Sequence, residues 1–221
     1  MAGVRFTPVS WPRLTDALAE RIAALAPLDG GPWARVVVDG APAARTGELA
    51  DALAEALRTR GRRTLRVSAD GFWRPASVRL EYGHRDVDAY YDLWLDTGAL
   101  WREVFGPLSP GGDGRALPSL WDPVTDRATR APYVTLPPGS VLLLDGPLLL
   151  GRGFPVDLGI HLRLSPAALA RRTPDPDRWT LPAFERYDEE VDPGTTADVV
   201  VRCDDPRHPA WSEDGHAGNG S

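Results

Sequence analysis

Between Asp39 and Glu48 the chain reads Asp-Gly-Ala-Pro-Ala-Ala-Arg-Thr-Gly-Glu. An apolar run, Arg35–Asp39, precedes this segment, and a helical pattern from Leu49 to Leu57 follows it. Strand, short loop and helix is the setting in which backbone N–H groups and a helix N-terminus cradle phosphate. A working loop of this kind reads Gly-x4-Gly-Lys-Ser/Thr. Its lysine reaches the outer phosphates and its hydroxyl binds magnesium. Here Gly40 supplies the first glycine, but no lysine follows, because all 25 cationic residues of the chain are arginines. Aligned without a gap, Arg45 stands at the second glycine, Thr46 at the lysine and Gly47 at the hydroxyl residue. One deletion would instead set Ala44-Arg45-Thr46 against Gly-Lys-Thr. The ungapped register is preferred, because the helix match then extends through Leu57. Pro42 removes one amide from the cradle. The phosphate-binding candidates are therefore Gly40, Ala43, Ala44, Arg45, Thr46 and Gly47. The competing reading is an ordinary strand-to-helix turn with Thr46 as N-cap.

Such a loop needs a sheet to hold it. Five apolar runs read as buried parallel strands: Arg35–Asp39, Thr64–Ser68, Val141–Asp145, Asp157–Leu164 and Asp198–Arg202. They are nearly continuous in Val, Leu and Ile, as strands covered on both faces should be. Helical patterns at 47–60, about 87–106, 166–172 and 180–190 lie between several of them, which predicts a doubly wound α/β sheet. Ligands bind at the carboxyl ends of such strands. That points to the 40–47 loop, to Asp70 and Asp145, each before a glycine, and to the stretch after Leu164. Arg45 and Asp70 are expected to face one pocket, from adjacent strands.

Residues 1–34 read as a helical extension. Ser10-Trp-Pro opens a helix, and Leu14, Leu18, Ile22 and Leu25 recur at helical spacing. The main domain is placed at 35–211, and 212–221 as a disordered tail. Two long loops, 107–139 and 173–180, are rich in Pro, Gly or Asp, and the second is expected to be mobile. At 221 residues the chain suits one well-buried core. The net charge of −6 argues against a nucleic-acid binder working through a general basic field. Cys203, the single cysteine, leaves no internal disulfide and reads as a core or strand-end thiol. No apolar run approaches the ~20 residues of a membrane span, and the first residues lack the apolar stretch of a signal peptide. A cytoplasmic protein with no membrane partner is expected.

Four segments in order resemble the uridine kinase-like branch of the P-loop kinases. They are Val36-Val-Val-Asp39-Gly40 with its helix, Val67-Ser-Ala-Asp70-Gly-Phe72, Leu142-Leu-Leu-Asp145-Gly146, and Arg186-Tyr-Asp-Glu-Glu-Val-Asp-Pro193 with the Ala197-Asp-Val-Val-Val201 run. The resemblance covers roughly 33–210. It implies a three-layer α/β P-loop kinase-like domain with a five-stranded parallel sheet in the order 2-3-1-4-5. It makes Asp70 the general base on a substrate hydroxyl, and Asp145 with Thr46 the magnesium site. Phe72, Asp86, Tyr90, Trp121, Asp122 and Arg127 become substrate contacts, and Arg171, Arg172 and Arg178 cations of a lid. Asp126 stands where the family has a base-contacting histidine. ATP and Mg2+ would be the cofactors, and the implied function is phosphoryl transfer to a hydroxyl of a nucleoside or similar small molecule. The alternative is a degenerate P-loop-fold protein that binds a nucleotide, metabolite or protein partner without turnover. Trp73, Trp94, Trp101 and Trp121 could stack on a planar ring or simply pack the core.

Overall fold

The computed structural model describes residues 5–212. The expected disordered tail, apart from Ser212, lies outside the described residues. In chain order the elements that matter here are β1 (Phe6–Pro8), α1 (Trp11–Ala23), β2 (Ala34–Asp39), α2 (Thr46–Thr59), β3 (Thr64–Ser68) and α3 (Val87–Asp92). They are followed by β4 (Val141–Gly146), β5 (Leu158–Arg163), α4 (Pro166–Arg172), α5 (Leu181–Glu190), β6 (Val199–Arg202) and β7 (Ala210–Ser212). The sheet runs β1-β7-β6-β5-β2-β4-β3. Its five central strands, β6-β5-β2-β4-β3, are all parallel. Read from β3, that is the 2-3-1-4-5 order implied by the resemblance.

Alternate residues of the central strands feed two separate apolar layers, one on each face. Val37, Leu142, Leu144 and Val67 pack on one side with Phe72, Tyr90 and Phe105. Val36, Val38, Leu143 and Ile160 pack on the other with Leu49, Leu53 and Leu57 of α2. Burying such side chains stabilises by about 1.5–3 kcal/mol each, which is why these runs read as continuous in Val and Leu. Only β3, at the edge, alternates buried with half-buried positions.

Two antiparallel edge strands were not legible in the sequence. β7 returns along β6, and β1 pairs with β7 through Phe6 opposite Ser212. Three-residue strands leave almost no periodic signal. α1 lays Leu14, Leu18 and Ile22 against the α2 face of the core, as its spacing predicts. The connection from α1 into β2 is held by a buried ion pair. Arg35 meets Asp157 through Nε at 2.9 Å and Nη2 at 3.0 Å, and Asp29 through Nη1 at 2.7 Å.

The helix expected over 87–106 breaks after Asp92. Asp96 caps a new turn by accepting from the Ala99 N–H at 2.8 Å, while its own N–H donates to the Phe72 carbonyl at 2.9 Å. Tertiary pairing of Leu95 with Trp73 overrides the local pattern. Loop 107–139 carries two small ribbons, 115–116 with 134–135 and 121–122 with 127–128. The 175–180 segment is a 3-10 helix.

Candidate functional site

The site lies at the carboxyl ends of β2, β3 and β4. Two Asp-Gly pairs end two of these strands, and both glycines permit a close approach. A Cβ on Gly146 (φ +151) would lie 2.4 Å from the Ala69 Cβ, and one on Gly40 (φ +159) 2.9 Å from the Leu162 carbonyl oxygen. Gly146 thus lets the turn that carries Asp70 fold over the end of β4.

Asp39 is fully buried. It accepts from the Leu149 N–H at 2.8 Å and meets His161 Nδ1 at 2.7 Å. Those contacts fix the root of the 40–47 loop to β5 and to the 147–151 turn. Neither partner was singled out from the sequence, because His161 sits inside an apolar strand.

The loop itself is wound tight. Pro42–Ala44 form a 3-10 turn in which the Ala44 N–H donates to the Ala41 carbonyl at 2.8 Å and the Arg45 N–H to the Pro42 carbonyl at 3.0 Å. Arg45 is left-handed (φ +64) and precedes α2 as its N-cap, so Thr46 opens the helix rather than capping it. With Pro42 lacking an N–H, the 42–45 stretch keeps only the Ala43 amide outside this internal bonding. The start of α2 adds the unpaired N–H groups that every helix presents there.

The two larger cavities along the loop divide its 42–45 residues, while Gly40 and Ala41 line a small one beside His161. Pro42 and Ala43 line the first, of about 420 Å³, together with Asp70, Trp73, Arg79, Tyr90, Trp94, Asp177, Trp179 and Phe184. Ala44 and Arg45 line the second, of about 300 Å³, with Trp11, Glu48, Arg172 and Cys203. The expectation that Arg45 and Asp70 share a pocket is therefore corrected. β4 lies between β2 and β3, and the left-handed Arg45 turns its side chain outward to pair with Glu48.

In the first cavity Asp70 is open to solvent but sits low among its neighbours. Burial pushes its carboxyl pKa up, against the pull of Arg66. The aromatic walls meet edge to face: Trp73 with Trp94 at 5.2 Å between centroids, Tyr90 with Trp94 at 5.1 Å and Tyr90 with Trp179 at 5.5 Å. Arg79, buried, lies over the Trp94 ring at 5.0 Å and is held by the Arg74 carbonyl at 2.7 Å. Burial also raises the Tyr90 hydroxyl pKa far above its ordinary value. Trp73 and Trp94 were among the expected stacking residues. Arg79, Trp179 and Phe184 were not; Trp179 and Phe184 reach the cavity because the fold brings the 175–180 turn and α5 against Tyr90 of α3.

Asp145, at the end of β4, is buried. Burial pushes its pKa up to about 6, with Arg66 pulling it down. Arg66, from β3, sets Nη2 3.0 Å from Asp145 Oδ1 and Nε 3.1 Å from Asp51 Oδ1. Neither Asp145 Oδ1 nor Arg66 Nε has an aligned hydrogen bond, so the contact is one of charge. Thr46 is buried beside them.

The other expected residues scatter. Phe72 is fully buried in the core. Asp86 caps α3, accepting from the Ala89 N–H at 2.7 Å. Asp122 closes its own turn by accepting from the Val124 N–H at 2.9 Å and the Thr125 hydroxyl at 2.7 Å. Trp121 donates from Nε1 to Asp126 at 3.0 Å, and Asp126 also lies 3.7 Å from Arg79 of the cavity wall, though neither Trp121 nor Asp126 lines the cavity. Arg127 is exposed on the same small ribbon. Arg178 pairs with Asp175 at 3.0 Å, Arg171 is exposed, and Arg172 donates to the Asp204 carbonyl at 3.2 Å beside the second cavity. Ser165 caps α4 by accepting from the Ala168 N–H at 3.3 Å. Cys203 is buried, its thiol pushed up to about 11. Among the described residues no group of three or more His, Cys, Asp or Glu is placed to hold a metal ion. No helix among them is long and apolar enough to cross a membrane.

No family model and no curated protein matches the chain. Solved structures do. A protein described as a possible uridine kinase from Bacillus stearothermophilus superposes with a TM-score of 0.69 at 21% identity, over 86% of this chain and 97% of that one. One assigned as a fructose transport system kinase from Silicibacter gives 0.58 at 24%, over 81% and 89%. D-glycerate 3-kinase from Cryptococcus neoformans gives 0.51 at 17%, over 80% and 79%. In strand order and in these likenesses, the chain has the uridine kinase-like P-loop kinase fold.

Proposed function

We propose that the protein is a phosphotransferase that moves a phosphoryl group from a nucleoside triphosphate such as ATP to a hydroxyl of a small molecule carrying a planar ring, a nucleoside or similar. One observation carries the reading: Asp70 and the phosphate-loop residues Pro42 and Ala43 line the same aromatic cavity of about 420 Å³. Its volume and its few polar groups among apolar walls suit a small ligand. Trp73, Tyr90, Trp94 and Trp179 offer faces and edges to a ring. The Asp70 carboxylate is then placed to take the proton of the attacking hydroxyl. A pKa raised by its surroundings makes it a stronger base than a free carboxylate. The kinase names of the structural neighbours support the reaction class, and the neighbours differ in the acceptor they name.

A second reading, binding without turnover, is favoured by the loop. Its Ala44 and Arg45 amides are spent on the turn itself, and no lysine is present. Calorimetry with a panel of nucleosides and hydroxylated metabolites, followed by phosphoryl transfer from radiolabelled ATP, separates the two. The first reading expects transfer to a bound acceptor. It also expects Asp70→Asn to cut turnover by about 10²–10⁴-fold while acceptor affinity stays. An acceptor bound with no transfer at any pH would leave the second reading standing.

A further inference from the structure

We infer that the position which the fold's resemblance gives to a divalent cation is held in this protein by the guanidinium of Arg66. The inference rests on reading residues 40–47 as the phosphate loop. In that register the metal-binding hydroxyl would come from residue 47, which is glycine, and the hydroxyl left beside Asp145 is that of Thr46, one residue earlier. A Cβ built there would lie 3.4 Å from Asp145 Oδ2 and only 2.8 Å from Arg66 Nη2. The missing side chain is the space that the guanidinium uses. Arg66 reaches it from the half-buried face of β3 and stands 3.0 Å from Asp145, the acid that would otherwise steady the ion. Asp51 holds the other side of the fork at 3.1 Å.

The donor set does not suit magnesium. That ion demands near-octahedral oxygen ligands at about 2.0–2.1 Å and keeps several waters. Here one buried carboxylate, with the Thr46 hydroxyl against it, already faces a guanidinium, and among the described residues no trio of acidic or His side chains surrounds the place. A dication entering beside Asp145 would meet the guanidinium at contact distance. Arginine stays charged at any working pH, and its planar fork serves carboxylate and phosphate alike. A phosphate oxygen at the start of α2 would thus meet the helix N–H groups and Arg66 with no metal between them. Lysine is absent from the loop for reasons of sequence. On this inference it is geometry, the guanidinium beside Asp145, that excludes the ion.

Electron paramagnetic resonance with Mn2+ tests the inference on the intact chain without reference to activity. The wild-type protein should leave Mn2+ free, and Arg66→Met/Gly47→Ser should bind one ion, lost again on adding Asp145→Asn. Thermal melts check that each variant is folded, and Arg66→Gln alone serves if the pair is not. Mn2+ bound by the wild type and released by Asp145→Asn would overturn the inference. So would Mn2+ bound by neither the wild type nor the folded variants, because Arg66 would then not be what excludes the ion. A second titration, of tripolyphosphate in EDTA, tests the phosphate loop by itself. Binding that weakens about tenfold or more in Arg66→Met supports the guanidinium as the anion's partner. Binding unchanged by that substitution counts against it.

Discussion

Replacing Asp145 with asparagine should stabilise the protein, and only above mildly acidic pH. Burial pushes this carboxyl from 3.8 up to about 6 even with Arg66 beside it. Between those values the unfolded chain has released its proton while the folded chain keeps it, so stability falls as pH rises across the window. At about 1.4 kcal/mol for each pH unit, the loss comes to about 3 kcal/mol above pH 6. Asparagine has the same shape and does not titrate, so the variant escapes that loss. Arg66 keeps Asp51 and a partly exposed position, so its own penalty for losing Asp145 is softened by water. Urea unfolding followed by circular dichroism should give equal stabilities near pH 4 and a gain of about 3 kcal/mol near pH 8. For a domain of this size that is roughly 6–12 °C in Tm. A variant at pH 8 no more stable than the wild type would refute the reasoning. It would mean that the attraction of Arg66 outweighs the cost of burying the charge.

Asp157→Ala should lose about 3–5 kcal/mol in the same urea assay, because it leaves the buried Arg35 guanidinium with Asp29 alone and strands two backbone donors, Leu28 and Arg35. Arg45→Ala should change stability by less than about 1 kcal/mol, since its pair with Glu48 is exposed. It should also leave acceptor affinity in the Asp70 cavity unchanged by calorimetry. Amides of residues 173–180 should exchange faster than those of Val141–Leu144, because the turn is largely exposed and the strand is buried. Any phosphoryl transfer should rise with pH through a value above 3.8, the direction in which Asp70 is shifted, and a rate flat across the acid range would count against Asp70 as base.

The parallel sheet was legible because burial on both faces forces long runs of Val, Leu and Ile. All five central strands fall within a residue or so of their expected bounds. β1 and β7 were not, because each is only three residues and owes its pairing to the other end of the chain. Asp70 and the loop could be placed at strand ends from the pattern alone. The separation of the Arg45 side chain from the Asp70 cavity could not, because it depends on that residue's left-handed backbone and its pairing with Glu48. Arg66 was hidden for a related reason. Inside a strand, an arginine at a half-buried position looks like an ordinary solvent-facing residue until the neighbouring strand's Asp145 and the bare Gly47 are set beside it.

That arrangement changes what restoring the missing motif should do. Thr46→Lys with Gly47→Ser rebuilds the ungapped pattern on paper. In the fold, Thr46 is buried, with its Cγ2 3.2 Å from where a Gly40 Cβ would lie, so a lysine there must thread out past the loop root. The side chain added by Gly47→Ser would enter the space of Arg66 Nη2. The guanidinium is the end of a flexible side chain and could move, but only by leaving Asp145 and Asp51. Its charge would still repel both the new ammonium and any dication. The double substitution by itself should therefore yield no magnesium-dependent gain in tripolyphosphate affinity. Adding Arg66→Met should release Asp145 and give one, read by calorimetry with and without EDTA. A magnesium-dependent gain from the double substitution alone would show that Arg66 yields readily. The loop would then be limited by its lost lysine and not by the cation that has taken the metal's place.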